Sequence, residues 1–253
     1  MNRQEISMLA HADHPIAAPL HDASVERLLT RALRRGDERV LDLGCAEGAW
    51  LIRAATERPG VRGDGVDLSA PALKRGRARV EAAGLAGRVR LHQADAATYS
   101  DPQPYDLVMC VGSTHALGGL LPALDAAARH LAPGGTLMIG DGFWEREPGE
   151  EILAAGFTPD EYTDLPTTID RIEAKGWVTA YAHTSTRAEW DDYEWSWTGT
   201  LARWALEHPE DPDSGEALRT ARRHRDEWLR GYRDTLGFVT LLLQRDGTAP
   251  EYK

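Results

Sequence analysis

The stretch Arg39-Val40-Leu41-Asp42-Leu43-Gly44-Cys45-Ala46-Glu47-Gly48 decides the architecture. A short apolar run that stops at Gly44 reads as a buried parallel strand. The two glycines bracket a turn whose backbone can bend sharply and approach a ligand closely. The same rhythm extends outward in both directions. Upstream, Val25, Leu28, Leu29, Ala32 and Leu33 recur at helical spacing, with Ser24 or Asp22 available as the cap. Downstream, a helix over about 48–58 stops at Pro59-Gly60, and 63–67 is a second strand. A helix over about 70–83 ends at Gly84, and 89–92 is a third strand. Residues 105–111 (YDLVMCV) form the most continuous apolar run and read as a central strand. A helix over 120–131 ends at Pro133-Gly134-Gly135, and 136–139 is a fifth strand. Strands alternating with helices of about 10–15 residues imply right-handed crossovers and a parallel sheet covered on both faces. Ligands on such sheets bind beyond the carboxyl ends of the strands. Functional residues are therefore expected just after Leu43, Val66, Leu91, Val111 and Ile139.

After residue 142 the rhythm changes. A helix is expected over about 159–175, then a strand over 177–182, two helical stretches over 186–208 and 214–235, and a last strand over 237–243. The two final strands would pair as neighbours with about 50 residues between them, far beyond a hairpin loop, so the insertion reads as a cover over the ligand cleft. The expected organisation is one domain: an N-terminal helical cap (1–35), a cofactor-binding core (36–185), a helical insertion or lid (186–235), and a last strand with tail (236–253).

Composition narrows the function. The chain has 253 residues with Lys+Arg 29 against Asp+Glu 40, a formal charge of −11. That acidity disfavours a nucleic-acid partner, because such binding rests on neutralising phosphates. No apolar run approaches the roughly 20 residues of a membrane span. The first twenty residues carry Arg3, Glu5 and Asp13 and do not read as a signal peptide. Two cysteines are too few for a disulfide scaffold. A cytoplasmic protein is expected, with a small-molecule partner and an oligomeric state that the sequence leaves open.

A glycine turn alone fits any dinucleotide-type site, but two acids sharpen it. Asp67 lies nineteen positions after Gly48 and closes the second strand, where a carboxylate can accept ribose hydroxyls. Asp95 closes the third strand, where an acid or its backbone neighbour can meet an adenine amino group. With D-x-G-x-x-x-G at 42–48 and L-x-P-G-G at 131–135, the region 38–142 resembles the class I S-adenosylmethionine-dependent methyltransferases. The resemblance implies a Rossmann-like α/β fold with a seven-stranded, mostly parallel sheet of order 3-2-1-4-5-7-6, strand 7 antiparallel, and S-adenosyl-L-methionine as cofactor. It implies cofactor contacts at Gly44, Cys45, Ala46 and Gly48, at Asp67 and Leu68, and at Asp95 and Ala96, with Val111 and Gly112 at the end of strand four. Ala46 stands where the family usually has a glycine. G-x-G-x-x-G of nicotinamide dehydrogenases is absent. The whole chain is also similar to a bacterial subgroup of small-molecule-type enzymes whose substrates are poorly assigned, through residues 110–115 with Gly118-Gly119, 141–144 and 190–194.

His115, just beyond strand four, is the candidate general base. Asp141, ending strand five, is the candidate to orient the acceptor. Ser113, Trp144, Trp195 and His14 are candidate acceptor-binding residues. Trp195 stands off the helical stripe of Trp190, Tyr193, Trp197, Leu201 and Trp204, which reads as packing. His11, His14 and His21 flank Pro15 and Pro19, as a flap or a flexible terminus would. The arginines at 219, 222, 223 and 225 read as a solvated helix face. Cys45 and Cys110 read as small buried thiols, and no metal site is expected. In-line methyl transfer asks the protein mainly to position the acceptor and exclude water. A cofactor-binding regulator or assembly partner without turnover, and a cyclopropane-forming lipid enzyme, are the alternatives.

Overall fold

The computed structural model describes residues 1–246; the part of the expected tail from 247 to 253 lies outside the described residues. The chain forms two compact units. A sheet unit comprises 22–141, 165–184 and 239–246, and a helical unit comprises 1–21, 142–164 and 185–238.

In chain order the sheet unit begins with α2 (Asp22–Ala32), which follows α1 (Arg3–Ala10) of the helical unit. Then come β1 (Arg39–Leu43), α3 (Ala49–Glu57), β2 (Arg62–Asp67), α4 (Ala70–Ala82), β3 (Val89–Gln93) and β4 (Tyr105–Val111). A single 3-10 turn (Thr114–Leu117), α5 (Leu120–Ala128) and β5 (Leu131–Trp144) follow. After α6 (Glu150–Ala154) come α7 (Leu165–Glu173) and β6 (Trp177–Thr184), then α8 (Arg187–Glu207), α9 (Ser214–Glu227), a π turn (Trp228–Tyr232) and β7 (Leu236–Arg245). The seven-stranded sheet has the order β3-β2-β1-β4-β5-β7-β6. β1 pairs in parallel with β2 and β4, and β6 pairs antiparallel with β7. The expected fold and strand order are both observed.

The central strands are buried on both faces, which is why β1, β4 and the start of β7 are rich in apolar residues rather than alternating with polar ones. α4 packs closely because Gly76 faces the loop: a Cβ there would lie 2.5 Å from the Glu47 carbonyl oxygen. Glu47 in turn pairs with Arg75 (3.0 Å) and Arg79 (3.1 Å) on α4.

Three elements differ from expectation. The helix expected over 159–175 begins only at Leu165, because Pro166 lacks an N–H and is tolerated in a first helical turn but not in a helix interior. Residues before it run alongside β5 instead, with the Trp144 amide donating to the Thr163 carbonyl at 2.9 Å. β5 starts at Leu131 rather than 136, with an irregularity in its pairing to β4. The helix expected to reach 235 ends at Glu227 and widens into the π turn.

In the helical unit, α1 was not anticipated as a separate helix. Its start is a reciprocal cap: the Glu5 amide donates to the Asn2 side chain (3.0 Å) and the Asn2 amide to the Glu5 carboxylate (2.8 Å). Thr186 and Glu189 cap α8 in the same way.

Candidate active site

The backbone at the end of β1 is shaped by glycine. Gly44 and Gly48 take φ of 81° and 73°, in the left-handed region. A Cβ on Gly44 would overlap the side chain of Ser113, 2.5 Å from its Oγ. Ser113 itself donates its hydroxyl to the Leu43 carbonyl at 2.7 Å, fastening the end of β4 to the end of β1. That bond uses the hydroxyl proton, and the oxygen keeps its acceptor capacity. Ala46 takes φ of 46°, a conformation that costs a non-glycine residue about 1 kcal/mol.

Asp67 holds that turn in place. Its Oδ2 accepts the Ala46 amide at 2.8 Å and its Oδ1 accepts the Ser69 amide at 2.8 Å. The Gly44 and Cys45 amides both donate to the Val66 carbonyl, at 2.9 and 3.0 Å. Each carboxylate oxygen of Asp67 therefore has one backbone donor and, with about four acceptor directions in total, capacity for two more hydroxyl groups. Leu68, next in the chain, is 62% exposed, an apolar side chain held out at the strand end.

Asp42 is the residue whose importance the sequence did not reveal. It is 3% exposed, and its Oδ2 is buried without a hydrogen-bond partner. Burial, reinforced by the nearby Asp67 charge, pushes its carboxyl up to about 7. A buried, unsatisfied carboxylate oxygen beneath a glycine turn is costly unless something cationic or donating occupies the turn.

Asp95 is exposed and caps its own turn, accepting the Ala97 amide at 2.9 Å, while Ala96 is buried. Val111 and Gly112 end β4; Gly112 has φ of 70°, and its amide donates to the Gly140 carbonyl at 2.9 Å. His115 is exposed on the 3-10 turn. Asp141 accepts the Thr114 hydroxyl at 2.9 Å, which orients its carboxylate. Cys45 and Cys110 are both buried free thiols, and burial pushes Cys110 up to about 12, so both are inert. Among the described residues no cluster of metal-ligating side chains occurs.

The sheet unit thus brings the turn, Asp67, Leu68, Asp95, Ala96, Val111, Gly112, His115 and Asp141 to the carboxyl ends of its strands. The other candidates belong to the helical unit. Trp144 is a core residue, 5% exposed, with its indole N–H donated to the Pro159 carbonyl at 2.9 Å and its ring edge-on to Tyr162. That packing corrects its expected role as an acceptor-lining residue. Trp195 is 51% exposed, with its ring 4.9 Å from that of Trp228, edge to face. His14 meets Tyr193 edge-on at 5.4 Å.

The helical unit also holds a buried polar cluster that sequence reading missed. Glu194 on α8 is nearly inaccessible and accepts the Tyr232 hydroxyl at 2.8 Å, with His224 Nε2 at 2.8 Å from its other oxygen. His11 Nε2 lies 3.0 Å from the Tyr193 hydroxyl, joining the N-terminal segment to α8.

Comparison with known proteins agrees with this geometry. Residues 40–135 match a family described as a methyltransferase domain. The chain is 29% identical to the protein YjhP of Escherichia coli K12 over 220 residues, 85% of this chain and 88% of that protein. It is 37% identical over 131 residues to trans-aconitate 2-methyltransferase of Streptomyces avermitilis, covering 51% of this chain and only 46% of that enzyme. A crystal structure of a SAM-dependent methyltransferase from Geobacter sulfurreducens, in complex with S-adenosyl-L-homocysteine, superposes with a TM-score of 0.87 at 26% identity, over 95% of this chain and 98% of that one. Residues 40–135 thus match a methyltransferase domain, and the glycine turn gripped by Asp67, set on a sheet of this order, makes the chain similar to the class I S-adenosylmethionine-dependent methyltransferases.

Proposed function

We propose that this methyltransferase acts on a small-molecule acceptor, with its cofactor lying along the carboxyl ends of β1, β2 and β3. The observation that carries the reading is the Asp67 carboxylate, fixed by the Ala46 and Ser69 amides with two acceptor directions left for ribose hydroxyls. Asp42 fits the same group. Its unsatisfied buried oxygen suits the positive end of the cofactor's amino-acid part, reached directly or through water. Gly44, Cys45, Ala46 and Gly48 supply a close backbone surface for that part, Leu68 an apolar face for adenine, and Asp95 with Ala96 its polar edge. Val111 and Gly112 border the site at β4.

The bound cofactor supplies an electrophilic methyl group, so the protein's own residues have only to position the acceptor and manage its proton. His115 takes a proton from a hydroxyl or amine acceptor, and Asp141, oriented by Thr114, aligns it. His14 and the exposed ring of Trp195 are the proposed acceptor-binding side chains. The small-molecule reading is supported by the name of the Streptomyces relative and by the acidic composition. No helix among the described residues is long and apolar enough to cross a membrane.

Incubation with methyl-labelled cofactor and a bacterial metabolite extract should place label in a low-mass fraction. Label confined to protein or nucleic acid would reject the small-molecule acceptor. With the acceptor in hand, His115→Ala should lower kcat by about 10²-fold or more at neutral pH with little change in cofactor affinity; unchanged turnover would remove the base.

A further inference from the structure

The sheet unit contains a cavity at the end of the sheet opposite the glycine turn. It occupies about 230 Å³ and is bordered by the end of α2, the amino ends of β1 and β4, the Pro133-Gly134-Gly135-Thr136 bend of β5, and residues of β6 and β7. It shares no residue with the site described above. β1 separates the two: five residues at about 3.3 Å each put roughly 16 Å between its ends.

Three arginines, Arg31, Arg34 and Arg35, line this cavity with two acids, Glu38 and Asp106. Both acids are already engaged. Glu38 accepts the Arg35 and Gly36 amides at 2.6 and 2.8 Å. Asp106 accepts the Arg39 amide at 2.8 Å and pairs with the Arg35 guanidinium at 2.9 Å. Arg35 is thus neutralised, by Asp106 and by Asp37. Arg31 and Arg34 are not: among the described residues neither guanidinium is paired with a carboxylate. The Arg31 guanidinium carbon sits over the Tyr181 ring, 4.0 Å from its centroid, which restrains where its donors can lie. Arg34 uses only its Nε, toward the Arg31 carbonyl at 3.2 Å, leaving its terminal nitrogens available. The Thr136 hydroxyl and the Gln244 amide, 3.4 Å apart, add neutral polar groups to the wall.

Two planar guanidinium groups without acid partners, one of them pre-oriented by an aromatic ring, match the bidentate geometry of carboxylate and phosphate oxygens. We propose that this cavity is a second binding site, for a small metabolite bearing oxyanion groups, held by Arg31 and Arg34 and separate from the methyl-transfer site. A phosphate ester and a polycarboxylate share this chemistry.

Calorimetric titration of the intact protein with inorganic phosphate and with citrate, at ionic strength held constant with chloride, tests the proposal. Saturable binding of at least one is expected, and the tighter of the two identifies the source of the oxyanion. The Arg31→Ala/Arg34→Ala double variant should weaken that binding at least tenfold, whereas Arg222→Ala on α9 and saturating S-adenosyl-L-homocysteine should leave it unchanged. Both arginines are exposed, so the double variant should fold, as its thermal transition will report. Absence of saturable binding, or equal binding by the double variant, would overturn the proposal; displacement of the anion by S-adenosyl-L-homocysteine would do so as well, by assigning the anion to the cofactor site.

Discussion

The end of β1 and the middle of α8 solve opposite problems with the same chemical group, a buried carboxyl. At the end of β1 two carboxylates converge, and one of them, Asp42, is left buried with an unpartnered oxygen. On α8 the carboxylate of Glu194 is equally buried, yet both its oxygens are met by Tyr232 and His224. A satisfied buried carboxylate holds structure together, whereas an unsatisfied one makes the free protein less stable and binds whatever completes it. On that contrast Asp42 is proposed to meet a ligand, whereas Glu194 holds the fold.

Substitutions can break that contrast, and the largest effect is expected at Gly44. Gly44→Ala would force a side chain against Ser113 in a left-handed conformation, so a loss of about 3 kcal/mol or more in urea denaturation, together with loss of cofactor binding, is expected. Retained stability would mean that the β1–β4 tie is looser than it looks. Glu194→Gln comes next: about 2 kcal/mol of stability should be lost, because a charge-assisted contact to His224 disappears, while cofactor affinity stays within twofold. A fall in affinity with no fall in stability would reverse the roles of the two regions.

Asp42→Asn acts through the pH dependence of stability, with a definite sign. The folded chain holds the Asp42 proton up to about pH 7, the unfolded chain only to about 3.9. Folding therefore binds a proton between these values, and the free protein loses stability as pH rises from about 4 to about 7, by a few kcal/mol at most. Asparagine removes that slope. Thermal melts of the two proteins should diverge with rising pH, the variant gaining relative to the parent; parallel curves would show that Asp42 is not the group responsible.

The legibility of the sequence divides along the same line. The turn, Asp67 and the strand order could be read because each depends on residues close in sequence or on an alternating rhythm that topology rules convert into a sheet. The late start of α7 was equally readable in principle, since Pro166 forbids a longer helix. The Glu194 cluster was not, for its members stand 30 and 38 positions apart, and nothing local distinguishes a buried glutamate on a tryptophan-rich helix from a solvated one. The stripe expected to pack α8 is buried in full only at Leu201, while Glu189, Glu194 and Thr198 occupy buried positions. Pattern reading favours apolar residues for the interior and so misses a polar one. Trp144 misled in the opposite way: its aromatic ring at a strand end suggested ligand contact, but the chain before Pro166 folds back to cover it.

Calorimetry with S-adenosyl-L-homocysteine on the parent protein and on Asp67→Ala tests the assignment of this acid most directly. One molecule should bind per chain, and the variant should bind it at least tenfold more weakly while keeping a single cooperative melt at a somewhat lower temperature, since loss of one or two hydrogen bonds to a charged acceptor is worth about 2–4 kcal/mol of binding. Equal affinity in the two proteins, or binding of a nicotinamide dinucleotide in its place, would contradict it.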